Sequence, residues 1–189
     1  MGVWGGDWDR CKKEWDQLIL YRSFVERYEH GIDWEETDFY QLEKSRIEEG
    51  NPTNSGVSSI KQLKRRCSDL DKLYESMENN GYVSQLELME NPEKEVISKT
   101  STYTNEINGE KFPDECMVGI GRNGELIRFQ NGRHRVSMAK ILGIEKMPVL
   151  LVARHEKWEK IRNYIHENGL PEELEDLQDH PDLQDVIDA

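Results

Sequence analysis

Residues 116 to 152, "CMVGIGRNGELIRFQNGRHRVSMAKILGIEKMPVLLV", restrict the fold more than any other stretch of the chain. Two apolar runs flank Asn123-Gly124, a dipeptide that accepts the positive φ values of a type I′ turn, and so read as a β-hairpin. After Asn131-Gly132 the pattern becomes helical: Val136, Ala139, Ile141 and Leu142 are apolar, and Gly143 supplies the stop. "EKMPVLLVARH" then returns as a buried strand. The expected class is α/β (α+β), with a small mixed sheet flanked by N- and C-terminal helices.

The flanks read as helical. Residues 1 to 57 form an arm with irregular joints. In it Asp33 or Thr37 can cap a helix carrying Phe39, Leu42 and Ile47, and Gly50 and Pro52 end it. Trp4, Trp8, Trp15 and Trp34 read as anchors that pack this arm onto a core. The clearest helix begins at Ser58 or Ser59 and ends at Gly81, with Ile60, Leu63, Cys67, Leu70, Tyr74 and Met77 at spacings of three and four. Its cluster Lys61, Lys64, Arg65 and Arg66 is interleaved with acids downstream and reads as a solvated face. "YVSQLELME", residues 82 to 90, reads as a short strand, and residues 90 to 114 as a long excursion with one strand. Beyond residue 155 follow an amphipathic helix with Trp158, Ile161 and Ile165 inward and Gly169 closing it, an acidic helix opened by Pro171, and a short capped end. The expected division is a helical arm over 1–57, a central domain over 58–155 and a C-terminal helical extension over 156–189.

Charge narrows the partners. Lys and Arg number 25 against 38 Asp and Glu, a net charge of −13 across 189 residues, so the surface as a whole repels nucleic acid and anionic membrane. A phosphate ligand must then be held by a local basic patch. The acidity fits either a solvated surface or a salt-adapted archaeal host. Cys11, Cys67 and Cys116 are widely spaced and odd in number, which fits reduced, buried thiols. No stretch approaches the roughly 18 apolar residues of a membrane span, so the expectation is a cytoplasmic protein without a membrane partner.

The candidate site is the start of the helix after Asn131-Gly132. Helix starts favour negative charge because their N–H groups and dipole are positive. Here Arg133, His134 and Arg135 stand in that place. Gly132 lets the chain turn sharply and leaves room at the backbone, and the N–H groups suit phosphate oxygens. Arg135 can grip two oxygens through its planar fork, His134 can donate one or two hydrogen bonds, and Ser137 adds a hydroxyl one turn in. A purely structural role, with these cations paired to the chain's many acids, is the alternative.

The helix ending "LYESMENNGY", the segment "VSQLEL", the glycine hairpin and "NGRHRVSMAKILGIEKMPVLLV" together resemble the ParB/sulfiredoxin-like domain superfamily over about residues 67 to 155. Gly132, Arg133, His134, Arg135, Ala139, Lys140 and Gly143 stand at the places of the partition protein's nucleotide-binding motif. Gly132, His134 and Arg135 match the sulfiredoxin Gly-Cys-His-Arg run. The resemblance implies a nucleotide or other phosphate ligand held by Asn131, Gly132, Arg133, His134, Arg135 and Ser137. It also implies Mg²⁺ with ATP or CTP as cofactor, and phosphotransferase or NTPase activity. A DNA-associated partition-like or nuclease protein and a non-catalytic module binding an anion or a partner are the alternatives. Arg133 stands where sulfiredoxins carry their catalytic cysteine, which argues against sulfinic acid reduction, and Ser137 replaces the partition motif's third arginine. Glu78, Glu87 and Glu115 are candidate metal carboxylates or plain surface acids. His155 either reaches the pocket or caps a helix. His30, His166 and His180 show no ligand spacing.

Overall fold

The structure, a computed structural model, describes residues 1–10, 15–53, 56–91, 93, 104–107, 110–129 and 132–187. Its strands are β1 (Gly2–Trp4), β2 (Thr104–Ile107), β3 (Glu110–Pro113), β4 (Met117–Ile120), β5 (Leu126–Arg128) and β6 (Leu150–His155). Its α-helices are α1 (Ile19–Tyr28), α2 (Asp38–Glu48), α3 (Ile60–Asn80), α4 (Gln85–Glu90), α5 (Arg133–Ile141), α6 (Glu156–Asn168) and α7 (Gln184–Ile187). The class is mixed helix and sheet, α/β, as the periodicity predicts. The chain divides into two compact units, each built from separate stretches. A sheet unit takes Met1–Lys12, Met117–Asn131 and Val149–Ala189, and a helical unit takes Lys13–Cys116 and Gly132–Pro148.

In the sheet unit the strand order is β1-β6-β4-β5. β1 and β4 run parallel to β6, and β5 returns antiparallel to β4. The sheet is therefore mixed. The N-terminal residues, expected to be helical, instead supply β1, with Gly2 to Trp4 registered on Ala153 to His155. Ile120, Trp158, Ile165 and Leu183 form the core here, all at most 1 % exposed. Trp158 and Ile165 lie on the inward stripe of α6, as the spacing predicts.

The hairpin is present, but its turn is placed differently. Gly124 N–H donates to the Gly121 carbonyl at 3.1 Å, so Arg122 and Asn123 are the central residues and Gly124 follows at φ +88°. A Cβ on Gly124 would stand 2.6 Å from the Trp158 ring, which reserves the position for glycine. The turn is centred on Arg122 because Asp9 holds it. Asp9 accepts from the Arg122 backbone N–H at 3.0 Å, from Nε at 2.7 Å and from the guanidinium terminus at 2.7 Å. These bonds, above all the side-chain bond from Arg122, hold the Asp9 carboxyl well below the usual carboxylate range. A depressed folded-state pKa stabilises the fold fully above the unfolded value of about 3.9 and is lost as pH falls through the folded value. Denaturant titrations of wild type and Asp9→Asn should therefore differ by a constant margin above about pH 5, a margin that narrows below about pH 4. A margin that stays flat down to pH 3 would contradict this.

In the helical unit Phe24, Trp34, Phe39, Leu63, Leu70 and Met138 are buried in one cluster. Thr37, one of the two expected caps, accepts from the Tyr40 N–H at 3.3 Å, and Ser59 accepts from Gln62 N–H to open α3. Leu63, Cys67, Leu70 and Met77 are buried on α3 at the predicted spacing. Trp34 is an anchor as expected, 5 % exposed with its indole N–H on Asp71 at 2.9 Å. Trp4 is 46 % exposed in the sheet unit, and the Trp15 side chain lies outside the described residues.

Residues 85–90 are a helix, which corrects the strand expected over 82–90. Ser84 accepts from the Glu87 N–H at 3.0 Å, so the Ser-x-x-Glu capping pattern outweighs the local alternation. Among the described residues of 90–114 the structure shows two strands, β2 and β3, paired antiparallel with Ile107 opposite Glu110. The Asn108-Gly109 dipeptide between them is a hairpin signal in the sequence, though those two residues lie outside the described ones. Among the described residues no helix is long and apolar enough to cross a membrane.

Candidate functional site

Gly132 opens α5 at φ +85°, ψ 4°, a left-handed conformation that favours glycine. The space left by its missing Cβ is filled by Cys116: a Cβ there would lie 2.7 Å from Cys116 Cα and closer still to Sγ. The sequence leaves that space to a ligand, whereas the fold uses it to seat a buried thiol. Cys116 is 0 % exposed and donates to the Gly132 carbonyl at 3.8 Å. Burial pushes its thiol pKa up, as it pushes Cys67 up to about 12, and a thiol so raised is a poor nucleophile. Cys11 and Asn131 lie outside the described residues.

From Gly132 the helical ladder starts with the Val136 N–H on the Gly132 carbonyl at 2.9 Å. Gly132 has no side chain to cap the helix, and the first turn holds no acid. Arg133, His134 and Arg135 thus surround a positive helix start. Their surroundings differ. The Arg135 guanidinium donates to the Asp114 carbonyl and to Tyr82 Oη at 3.4 Å, and pairs with Asp114 Oδ2 at 3.5 Å and Glu115 Oε2 at 3.8 Å. It is 11 % exposed, held by groups that any incoming anion must displace or share. The His134 ring lies 6.0 Å from the Phe24 ring. Arg133 is partly buried, and burial lowers its pKa; Glu43 opposes the shift and Arg66 adds to it, so its guanidinium lies within electrostatic reach of α2 and α3. The Ser137 hydroxyl is buried and donates to the Arg133 carbonyl at 2.7 Å, which commits it to its own helix.

Glu115 is a buried structural carboxylate. Oε2 accepts from Tyr82 Oη at 2.8 Å, and Oε1 accepts from the N–H groups of Gln85 and Leu86, at 3.2 Å for Leu86. It therefore compensates the start of α4 and the charge of Arg135 together. Glu78 is exposed on α3, and Glu87 sits in the first turn of α4. Among the described residues no group of three or more His, Cys, Asp or Glu is placed to hold a metal ion. His155 is in the sheet unit and caps α6: Nδ1 accepts from the Lys157 N–H at 3.1 Å, and Nε2 lies 3.0 Å from the Gly6 carbonyl. His180 bonds the Gly124 carbonyl at 2.8 Å, while His30 and His166 are exposed.

Tyr82, Asp114, Glu43 and Arg66 enter the site from structure rather than from the motif. Arg66, expected on a solvated face, is partly buried, because it follows Leu63 by three residues and precedes Leu70 by four on the inward stripe of α3. Lys61, Lys64 and Arg65 are exposed as expected. No protein-family model, curated protein or solved structure matches this chain.

Proposed function

We propose that the helical unit binds a phosphate-bearing ligand at the start of α5, through the N–H groups of its first turn and the side chains of Arg133 and His134, with Arg135 as a held neighbour. The observation that carries this reading is a helix start bearing Arg, His and Arg and no acid, in a chain of net charge −13. Such an arrangement opposes the helix dipole and is favourable once an anion arrives. The resemblance of 131–143 to the ParB/sulfiredoxin-like motif suggests a nucleotide as that ligand, and a phosphotransferase or NTPase as the activity. Mg²⁺ would arrive with the phosphates, since it keeps much of its water and needs only one or two carboxylates. Asp114, about a quarter exposed beside Arg135, is a carboxylate at hand, whereas Glu115 is engaged on both oxygens.

Thermal unfolding with ATP, CTP, GTP and inorganic phosphate, each with and without Mg²⁺, tests the reading. A ligand at about a hundred times its Kd should stabilise the protein by about 2.7 kcal/mol. Arg133→Gln should lose that gain. Arg135→Ala is a poorer probe, because it strips the counter-charge from buried Glu115. Unchanged melting with every ligand would sink the proposal.

A further inference from the structure

Residues 114–116 lie against the start of α5. Cys116 packs on Gly132, with its Sγ 3.8 Å from the Gly132 carbonyl, and the two residues before it face Arg135. The Arg135 guanidinium pairs with Asp114 Oδ2 at 3.5 Å and with Glu115 Oε2 at 3.8 Å. One cation therefore stands between two carboxylates. An anion drawn to this side of the helix start meets acceptors as well as donors, and only an anion that brings a proton of its own can bond to both. The two acids differ in what they have left to offer. Glu115 accepts on both oxygens, from Tyr82 and from the N–H groups of Gln85 and Leu86, and its side chain is 10 % exposed. Asp114 is 26 % exposed, so its carboxylate is the one that solvent and a ligand reach.

We propose that Asp114 makes the α5 site selective for an oxyanion that retains a proton, a terminal phosphate group, over one that has none, such as sulfate or the internal phosphodiester of a nucleic acid. This rests on the phosphate reading of the α5 start and specifies which kind of phosphate it takes. A terminal phosphate has a second pKa of about 6, and a neighbouring carboxylate favours its protonated form. It can then donate an O–H to Asp114 while its other oxygens accept from the first-turn N–H groups and from Arg133. Sulfate has nearly the same shape but carries no proton at neutral pH, so it offers Asp114 only repulsion. Arg135 holds the carboxylate in place for that bond.

Calorimetric titration of the full chain with inorganic phosphate and with sulfate, at neutral pH and without divalent cations, tests the assignment. Wild type should bind phosphate at least about tenfold more tightly than sulfate, the effect of one charge-assisted hydrogen bond. Asp114→Asn should erase that preference, chiefly by strengthening sulfate binding. Asp114→Ser removes the same carboxylate and retains the test if the asparagine variant fails to fold. Glu78→Gln, which removes an exposed acid from α3, should keep the preference. A carboxylate that serves only to hold Arg135 predicts that both Asp114 variants lower the melting temperature and retain the preference, which would overturn the inference. Equal affinity of wild type for the two anions, or tighter binding of sulfate, would overturn it too, while leaving the phosphate reading standing. Binding of neither anion would remove both.

Discussion

Asp182→Ala should destabilise the sheet unit by about 1–3 kcal/mol, the cost of removing the acceptor from buried donors. Arg154, on β6, donates to Asp182 through Nε at 2.8 Å and through its guanidinium terminus at 2.6 Å, and the Trp158 indole N–H donates to Oδ2 at 2.8 Å. The two side chains are 8 % and 11 % exposed. Removing the carboxylate leaves the Arg154 guanidinium with Glu159 alone, 3.6 Å away, and strands the Trp158 indole N–H beside the core of Ile120, Ile165 and Leu183. It also frees the segment before α7 from β6. Asp182→Asn, which retains one acceptor oxygen, should lose less. Urea unfolding of the three proteins provides the comparison. A loss below about 1 kcal/mol for the alanine variant would place the pair among exposed salt bridges and contradict its role as a clamp.

Gly132→Ala carries two penalties at one position. A non-glycine residue at φ +85° costs about 1–2 kcal/mol, and the new methyl would collide with the backbone and thiol of Cys116, adding about 1–3 kcal/mol of overpacking. Gly143→Ala is the natural control. Its φ is +65°, but nothing lies within 4 Å of a Cβ there, so only the conformational penalty applies. Equal losses for the two variants in chemical denaturation would show that Cys116 yields to the methyl, and that the glycine is required by backbone conformation alone.

The legible parts of the fold were those whose signals are local. α3 follows from the spacing of Leu63, Cys67, Leu70 and Met77, and α5 from the run between Gly132 and Gly143. The strand expected over residues 82–90 failed because Ser84 and Glu87 open a helix that six residues suffice to complete. β1 was illegible for a different reason: three residues with no alternation become a strand only through pairing with β6, some 150 positions away. The hairpin turn shifted because Arg122 is recruited by Asp9, a contact 113 residues apart that turn chemistry cannot foresee.

The same division runs through the candidate site. The cations of the motif were visible in the sequence. What they face was not, since Tyr82 and Glu115 are 33 residues apart and reach Arg135 only through tertiary packing. Ser137 looked like a ligand hydroxyl, but one turn into a helix it can bond back to the Arg133 carbonyl, and it does. Arg66 was the residue that could have been singled out, because its position relative to Leu63 and Leu70 already lies on the apolar stripe.

The most direct test of the central claim is a ¹H–¹⁵N correlation spectrum followed during titration with ATP and Mg²⁺, and again with inorganic phosphate. The account predicts that the backbone amides of Arg133, His134 and Arg135 shift saturably and together, with the same concentration dependence as the rise in melting temperature. Saturable binding that moves amides elsewhere and leaves these three in place would contradict it, as would a spectrum that no phosphate ligand alters.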